Sequence, residues 1–507
     1  MMLNNKNLDA EALLRNLDAN VFGIDLHWLP HAHGSLEVAR LLKSMHPESK
    51  ILMGGLSSSY FHQELMSYPQ VDLVLRGDST EVPLSRLMGA LESGDDLTRV
   101  PNLTWRNNGK TMINALTFVP RDLDYLEIDY GWMIRSVIRH RDLEGFKPFK
   151  DWDRYPLTAV FSVRGCTMDC AVCGGSCSAI QGFISRDRPA FRSPERLAED
   201  ISNIESYLEA PTFVVGDLRQ GGRGYAERFF KEAKRLRIKN HVVLEIFTPA
   251  EEDFYRLASR SIERYSMQFS PDSHDEDVRR ALGREFDTES IGRTVRYALE
   301  HDCRRFDMFF MIGLPKQTQE SAIASADYVR SLYSQLENDG RLSVYVSPLA
   351  PFIDPGSRVF ENPSQYGYTL FARTLEEHRS RLINPSWKYV LSYETAWMNR
   401  DDIVDSSYEC ADRFNQVRFE IGSIDEDDLT SRKQRTEMSR VLMMEIDRIV
   451  SLGDSVLQKN ELDALKDRAD NLMESTICEK RDLEWDAPNL FRSFPRAISG
   501  LLRSKRS

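Results

Sequence analysis

The 507-residue chain predicts an α/β protein: two successive regions of alternating strand and helix, then a helical C-terminal region. Three observations predict it. Residues 21–91 alternate short apolar runs with a segment of helical spacing. Residues 156–351 repeat that alternation six times. Beyond Pro355-Gly356 it stops, and residues 425–477 take on a helical period, with Met438, Val441, Leu442, Ile446 and Ile449 as the apolar set. Strands that alternate with helices form parallel sheets, because parallel neighbours need a crossover between them.

In the first region the strands are 21–26, 50–53 and 71–75, and residues 35–45 form a helix through Leu36, Ala39, Leu41, Leu42 and Met45. The second strand ends at Gly54-Gly55 and the third at Arg76-Gly77-Asp78. Ligands of such sheets bind beyond the strand C-termini. Glycines at such an end let the backbone approach a ligand closely. Asp78 or Ser79 is expected to cap the next helix with Glu81 in its first turn, or else to order the loop facing a ligand. Residues 98–156 lack a sustained period; they read as a hairpin around Asn107-Asn108-Gly109 and a connection.

In the second region the strands are 158–163, 212–216, 242–247, 264–269, 306–312 and 343–347. Ser193-Pro194 opens one intervening helix with a cap and a proline at its first position, and Thr248-Pro249-Ala250-Glu251 opens another as a capping box. Six units predict a partial (βα)6 barrel, whose chemistry belongs at the C-terminal strand ends. The expected boundaries are 1–120, a linker 121–156, a barrel 157–355 and a mostly helical region 356–507.

Composition narrows the function. With 66 Lys and Arg against 78 Asp and Glu the formal charge is −12, which argues against nucleic acid as the main partner. Apolar residues make up 41% and charged residues 28%, as in globular domains. No apolar run is long enough to cross a bilayer and no signal peptide follows Met1, so a cytoplasmic enzyme is expected. Arg492, Arg496, Arg503, Lys505 and Arg506 give residues 491–507 a basic character; a solvated tail is the expectation and a membrane-surface helix the alternative.

The chain has seven cysteines, four of them between positions 166 and 177. That is no secreted disulfide framework; it reads as metal binding in a reducing compartment. Cys166, Cys170 and Cys173 follow the first barrel strand in the spacing C-x3-C-x2-C. Three thiolates hold a metal centre without completing a four-ligand set, which leaves a position for something else. Cys177 permits a second reading, a structural zinc knuckle of four thiolates, although such knuckles rarely follow a barrel strand. Cys303, Cys410 and Cys478 are solitary, so no second cluster is visible.

The run Arg164-Gly165-Cys166-x3-Cys170-x2-Cys173, with Phe309-Phe-Met-Ile-Gly313-Leu-Pro315 on the fifth strand, resembles the radical S-adenosylmethionine (SAM) enzymes over roughly residues 150–350. The resemblance implies a [4Fe–4S] cluster on the three cysteines, with SAM chelating the fourth iron. One electron then cleaves the sulfonium, and the resulting 5′-deoxyadenosyl radical takes a hydrogen from a small-molecule substrate. The electron comes from an external flavodoxin- or ferredoxin-type donor. Residues 21–91, through Ile51-Leu-Met-Gly-Gly55 and Val71-Asp-Leu-Val-Leu-Arg-Gly-Asp-Ser-Thr-Glu81, look like the later half of a cobalamin-binding Rossmann-like domain. Relatives carry a further strand–helix–strand before this point, so the domain is expected to be shortened, or the true start to lie upstream. The two modules in this order resemble the cobalamin-dependent subclass, and the resemblance implies a methyltransferase acting on an unactivated carbon.

The resemblance also implies binding residues. Gly174 and Gly175 are candidates for backbone contacts to SAM. Asp217, Glu245 and Ser270 end three strands at the same rim, and Arg284 is a candidate partner of the methionine carboxylate. Gly54 and Gly55 are the candidates for cobalamin. Position 172 is Val where many relatives carry an aromatic, and the second strand ends Gly216-Asp217 without a Gly-Gly-Glu. His27 lies in Asp25-x-His27-x-x-Pro30, which lacks the glycine of the cobalt-ligating motif. His27, His31 and His33 are therefore expected at the rim rather than on cobalt, with metal chelation by the three as the lesser reading. The competing functions are a cobalamin-independent radical isomerase or dehydrogenase, and a non-catalytic metal-binding scaffold.

Overall fold

A computed structural model describes residues 9–149, 151–471, 482, 484 and 485. The basic 491–507 stretch and Cys478 lie outside the described residues. The first sheet has five strands in chain order: β1 (Val21–Asp25), β2 (Lys50–Gly54), β3 (Leu73–Leu75), β4 (Leu103–Asn107) and β5 (Lys110–Ile113). The first three run parallel; β4 and β5 are antiparallel and turn at Asn108-Gly109, where Asn108 has φ 48° and Gly109 φ 77°. Both turn residues take the positive φ that Asn-Gly tolerates at low cost. The predicted hairpin thus extends the first sheet.

The second sheet is β6 (Thr158–Phe161), β9 (Thr212–Val215), β10 (Val242–Ile246), β11 (Tyr265–Asp272), β12 (Phe306–Ile312) and β13 (Leu342–Pro348). All six are parallel neighbours in chain order, and β6 and β13 form its two ends. Two short strands, β7 (Val163–Arg164) and β8 (Ala190–Phe191), pair beside it. The fourth barrel strand runs past its predicted end through Ser270-Pro271 to Asp272. A register shift between Phe269 and Asp272 accommodates the proline there. Among the helices, Pro194–Tyr207 is capped by the Ser193 hydroxyl as expected. Two other capping expectations are corrected. The helix Glu252–Ser261 starts behind Glu251 without a side-chain cap, because the Thr248 carbonyl and hydroxyl accept bonds from Arg219. The helix Glu81–Ser93 has Thr80 at its N-cap position, because Asp78 and Ser79 are engaged by Arg186.

One apolar core joins the two sheets. Leu26, Met53, Val74 and Phe61 of the first region share it with Val160, Val214, Leu244, Phe269 and Phe310 of the second. The residues after Pro355-Gly356 are helical as expected, with Arg400–Glu420 and Glu426–Val450 the longest described elements, but they also include a small antiparallel pair of β14 (Tyr368–Leu370) and β15 (Tyr393–Thr395). Among the described residues no helix is long and apolar enough to cross a membrane.

Candidate active site at the barrel rim

The three cysteines lie on one loop between β7 and the helix Cys177–Ile184, at the C-terminal rim of the barrel strands. The loop leaves Arg164 through Gly165, whose φ is 90°. A Cβ there would sit 2.9 Å from both Arg186 Cδ and Ile180 Cδ1, so only glycine makes this exit without displacement. Cys166, Cys170 and Cys173 are each half-buried. Backbone amides point at two of the sulfurs: Met168 N–H donates to Cys166 Sγ at 3.3 Å and Gly175 N–H to Cys173 Sγ at 3.3 Å. Burial pushes all three thiols up, Cys173 to about 12. Desolvated thiols of this kind become good ligands only against a compensating positive charge or a metal centre.

That compensating charge is Arg284. Burial opposes its charged form, but Asp272 and the thiols of Cys170, Cys173 and Cys166 outweigh burial and hold its pKa above the ordinary value. Its Nε lies 2.7 Å from Asp272 Oδ2, too poorly aligned for a directed hydrogen bond, so the contact is an ion pair. Its Nη1 donates to the Phe247 carbonyl. Asp272 is buried and holds φ at 67°, an uncommon conformation for a non-glycine residue, at the irregular end of β11. Arg284 is thus fixed from two strand ends with its charge beside the cysteine loop.

The other predicted residues are placed as follows. Gly174 N–H donates to Asp354 Oδ2 at 2.9 Å, and a Cβ at Gly174 would meet Asp354 Cβ at 2.9 Å. Its amide is therefore committed within the protein, whereas Gly175 N–H faces sulfur. Asp217 caps the short turn Leu218–Gly221, pairs with Arg219 at 2.5 Å and accepts Phe247 N–H at 2.9 Å, tying the end of β9 to that of β10. Glu245 Oε2 accepts Gly216 N–H at 2.9 Å; burial raises its pKa more than that bond lowers it. Ser270 lies half-buried on β11 beside the register shift. Val172 packs with Val278, Leu282 and Leu314. Cys177 begins its helix and leans on Asp169.

In the first sheet, Gly55 has φ 110°, and a Cβ on it would lie 2.6 Å from the His27 amide nitrogen. It serves the crossing of two strand exits, where Ser57 N–H and Oγ bond to the His27 carbonyl. Gly54 has nothing within 4 Å of where a Cβ would be, so its face is open. His27 and His31 are exposed and His33 half-buried. Among the described residues no three His, Cys, Asp or Glu side chains converge on a single-ion site. Three thiols on one short loop, two of them accepting backbone N–H groups, are a donor set of the kind that holds an iron–sulfur cluster.

Asp272 and Asp354 were not legible as site residues. Neither were the partners of Asp78 and Glu81. Arg186 holds Asp78 in a bidentate pair at 2.6 and 2.8 Å, and Arg164, next to the cysteine loop, holds Glu81 at 2.5 and 3.1 Å. The loop after β3 is thereby fastened to the cysteine loop.

Residues 160–329 match the family model described as the Radical SAM superfamily, so the chain carries a radical SAM domain, the type that works with a [4Fe–4S] cluster and SAM. It is 27% identical over 161 residues to an anaerobic magnesium-protoporphyrin IX monomethyl ester cyclase of Synechocystis sp., covering 32% of this chain and 28% of that protein. It is 24% identical over 322 residues to a hopanoid C-3 methylase of Methylococcus capsulatus, covering 58% and 57%. The matches thus span less than two thirds of either relative. Among solved structures, the radical SAM methyltransferase TsrM of Kitasatospora setae, with cobalamin and a [4Fe–4S] cluster bound, superposes with a TM-score of 0.56 at 14% identity, covering 72% of each chain. The cobalamin-dependent SAM radical enzyme OxsB superposes with a TM-score of 0.53 at 12% identity, covering 99% of this chain and 74% of that one. The chain shares its fold with these two enzymes.

Proposed function

We propose that this radical SAM enzyme transfers a methyl group to an unactivated carbon of a small molecule, with cobalamin as the second cofactor. The observation that carries the reading is the C-x3-C-x2-C loop at the rim of a six-stranded parallel sheet, fastened to the strand ends of a Rossmann-like sheet. Cys166, Cys170 and Cys173 would hold the cluster. The cluster with SAM supplies hydrogen-atom abstraction, and cobalamin supplies the methyl group. Arg284 sets a fixed positive charge beside the thiolates, and Asp272 holds Arg284 in place. Gly175, Glu245 and Ser270 line the rim where SAM would lie. Asp217 and Gly174 act one step back, by fixing strand and loop ends. The open face at Gly54 is where a corrin would approach. Exposed His27 stays off cobalt in this reading, and an external flavodoxin- or ferredoxin-type protein delivers the electron.

A second reading, radical isomerisation or dehydrogenation without cobalamin, draws on Gly55, whose Cβ side is filled by the chain itself. Anaerobic reconstitution separates the readings. The first expects corrin absorbance at about one per chain together with 5′-deoxyadenosine formation; 5′-deoxyadenosine without retained corrin selects the second.

A further inference from the structure

One segment beyond the last barrel strand grips the cysteine loop at three points. Asp354-Pro355-Gly356-Ser357 forms a tight turn, closed by Ser357 N–H on the Asp354 carbonyl at 3.1 Å. Proline at its second position and Gly356 at its third, with φ 81°, suit such a turn. The short helix Arg358–Glu361 follows, with Ser357 Oγ accepting Phe360 N–H at 3.2 Å. Turn and helix together bring three groups to the loop. Asp354 accepts Gly174 N–H at 2.9 Å, just past Cys173. Val359 N–H donates to the Ala171 carbonyl at 3.0 Å, between Cys170 and Cys173. Arg358 Nη2 donates to the Asp169 carbonyl, just before Cys170, and its Nε lies 3.4 Å from Asp169 Oδ2.

Ala171 is held at both backbone groups, since its N–H donates to the Leu282 carbonyl at 2.8 Å. Gly283 leaves room for this approach: a Cβ there would lie 3.0 Å from the Asp169 carbonyl oxygen and 3.2 Å from Arg358 Nη2. The Arg358 guanidinium also lies 5.7 Å over the Tyr366 ring. Cys166 is held differently. Thr167, next to it, donates through its N–H and its hydroxyl to Gln220 Oε1 at 2.8 and 3.0 Å, on the turn that follows β9. The loop thus has two separate anchorages, one beside Cys166 and one beside Cys170 and Cys173. The second also reaches the first region of the chain, where Glu361 accepts the Tyr60 hydroxyl at 2.6 Å.

We infer that residues 354–361 are a clamp for the cluster, with Arg358 as its positioning residue: it sets the places of the Cys170 and Cys173 sulfurs and leaves that of Cys166 to Gln220. The inference rests on the cluster reading of the three cysteines and names what holds two of them in register. A metal centre depends on the groups that orient its ligands, so loosening two of three should release iron without unfolding the barrel. Arg358 meets Asp169 at two places with one planar fork; lysine can keep one of these contacts and methionine neither.

The test uses the full-length protein, first before reconstitution. Iodoacetamide labelling is followed cysteine by cysteine with peptide mass spectrometry. In Arg358→Met, Cys170 and Cys173 should be alkylated about tenfold faster than in the parent, and Cys166 within about twofold of it. Arg358→Lys should recover about half of the difference on a logarithmic scale. Asp354→Ala, which cuts the Gly174 bond alone, should quicken Cys173 and spare Cys166. After anaerobic reconstitution, Arg358→Met should lose iron to EDTA about tenfold faster than the parent, with a broadened electron paramagnetic resonance signal of the reduced cluster. Equal labelling rates in all variants, a Cys166 rate that rises in step with the other two, or unchanged iron loss overturns the inference. If the parent takes up no iron while the labelling pattern holds, the cluster reading falls and the clamp stands on the labelling. If the parent assembles its cluster and forms 5′-deoxyadenosine while the labelling pattern fails, the clamp alone falls.

Discussion

Three thiols and one guanidinium define the centre at the scale of the residue. Cys166, Cys170 and Cys173 are desolvated and share Arg284 as their positive neighbour. Cys177 is turned toward Asp169. Replacing Cys177 by Ala should leave iron content unchanged, whereas Cys170→Ala should remove most of the cluster; iron and sulfide assay of the two variants checks this. Arg284→Met removes a fixed charge from beside the thiolates. The cluster should then reduce at a potential lower by on the order of 50 mV, about 1 kcal/mol for one electron, and Arg284→Lys should recover much of it. A redox titration followed by electron paramagnetic resonance reads both. The spacing made the cysteines legible, because three ligands on one short loop are a local property. Asp354 was not legible, because its bond to Gly174 spans 180 positions. Asp354-Pro355-Gly356 read only as the end of the alternation.

Individual elements explain what else the sequence disclosed. Each barrel strand is an apolar run bounded by a turn, so all six could be read within a few residues. The exception, β11, continues through a proline that local propensity would place outside a strand. The antiparallel pairs β7–β8 and β14–β15 have strands of two or three residues, too short for a period of two to show. The attachment of the first sheet to the barrel was hidden as well, because Asp78 and Glu81 have helix-capping character in isolation. Their real partners lie 108 and 83 residues away. The Arg186 side chain is 1% exposed, so Asp78→Ala would strand a buried guanidinium and should cost about 3 kcal/mol, visible as a lower midpoint in chemical denaturation.

The same interface carries a pH dependence. His378 is buried between Phe61 and Phe360, with Glu377 and Arg381 as its charged neighbours. Burial lowers its pKa from 6.5 to about 4. The unfolded chain therefore binds the proton first, and stability present above pH 6.5 should fall as pH drops toward 4, by about 3 kcal/mol from this group. Denaturation midpoints across that range should slope for the parent chain and flatten in His378→Gln.

Across the whole molecule, one apolar core, the ion pair of buried Arg186 with Asp78 and the more exposed pair of Arg164 with Glu81 hold a Rossmann-like sheet against the rim that carries the cysteines. At the opposite end of the barrel strands, Trp485 packs on Phe213 and His241. This layout brings the loop after β3 to the rim that carries the cysteine loop. The order of the two modules was legible because each is built from local βα units. Their mutual orientation was not, because it depends on Arg186, Arg164, Tyr60 and Phe183, whose partners are far away in sequence. Tyr60 shows this best: its hydroxyl bonds to Glu361 at 2.6 Å and its ring packs on Phe183 and Phe360. The central claim is that the cysteine loop holds a SAM-cleaving cluster. Its most direct test is anaerobic reconstitution of the full chain, with iron counted and 5′-deoxyadenosine measured after addition of SAM and reductant. The account predicts about four irons per chain and 5′-deoxyadenosine that disappears in Cys170→Ala. Tight zinc in place of iron, lost on Cys177→Ala, would contradict it.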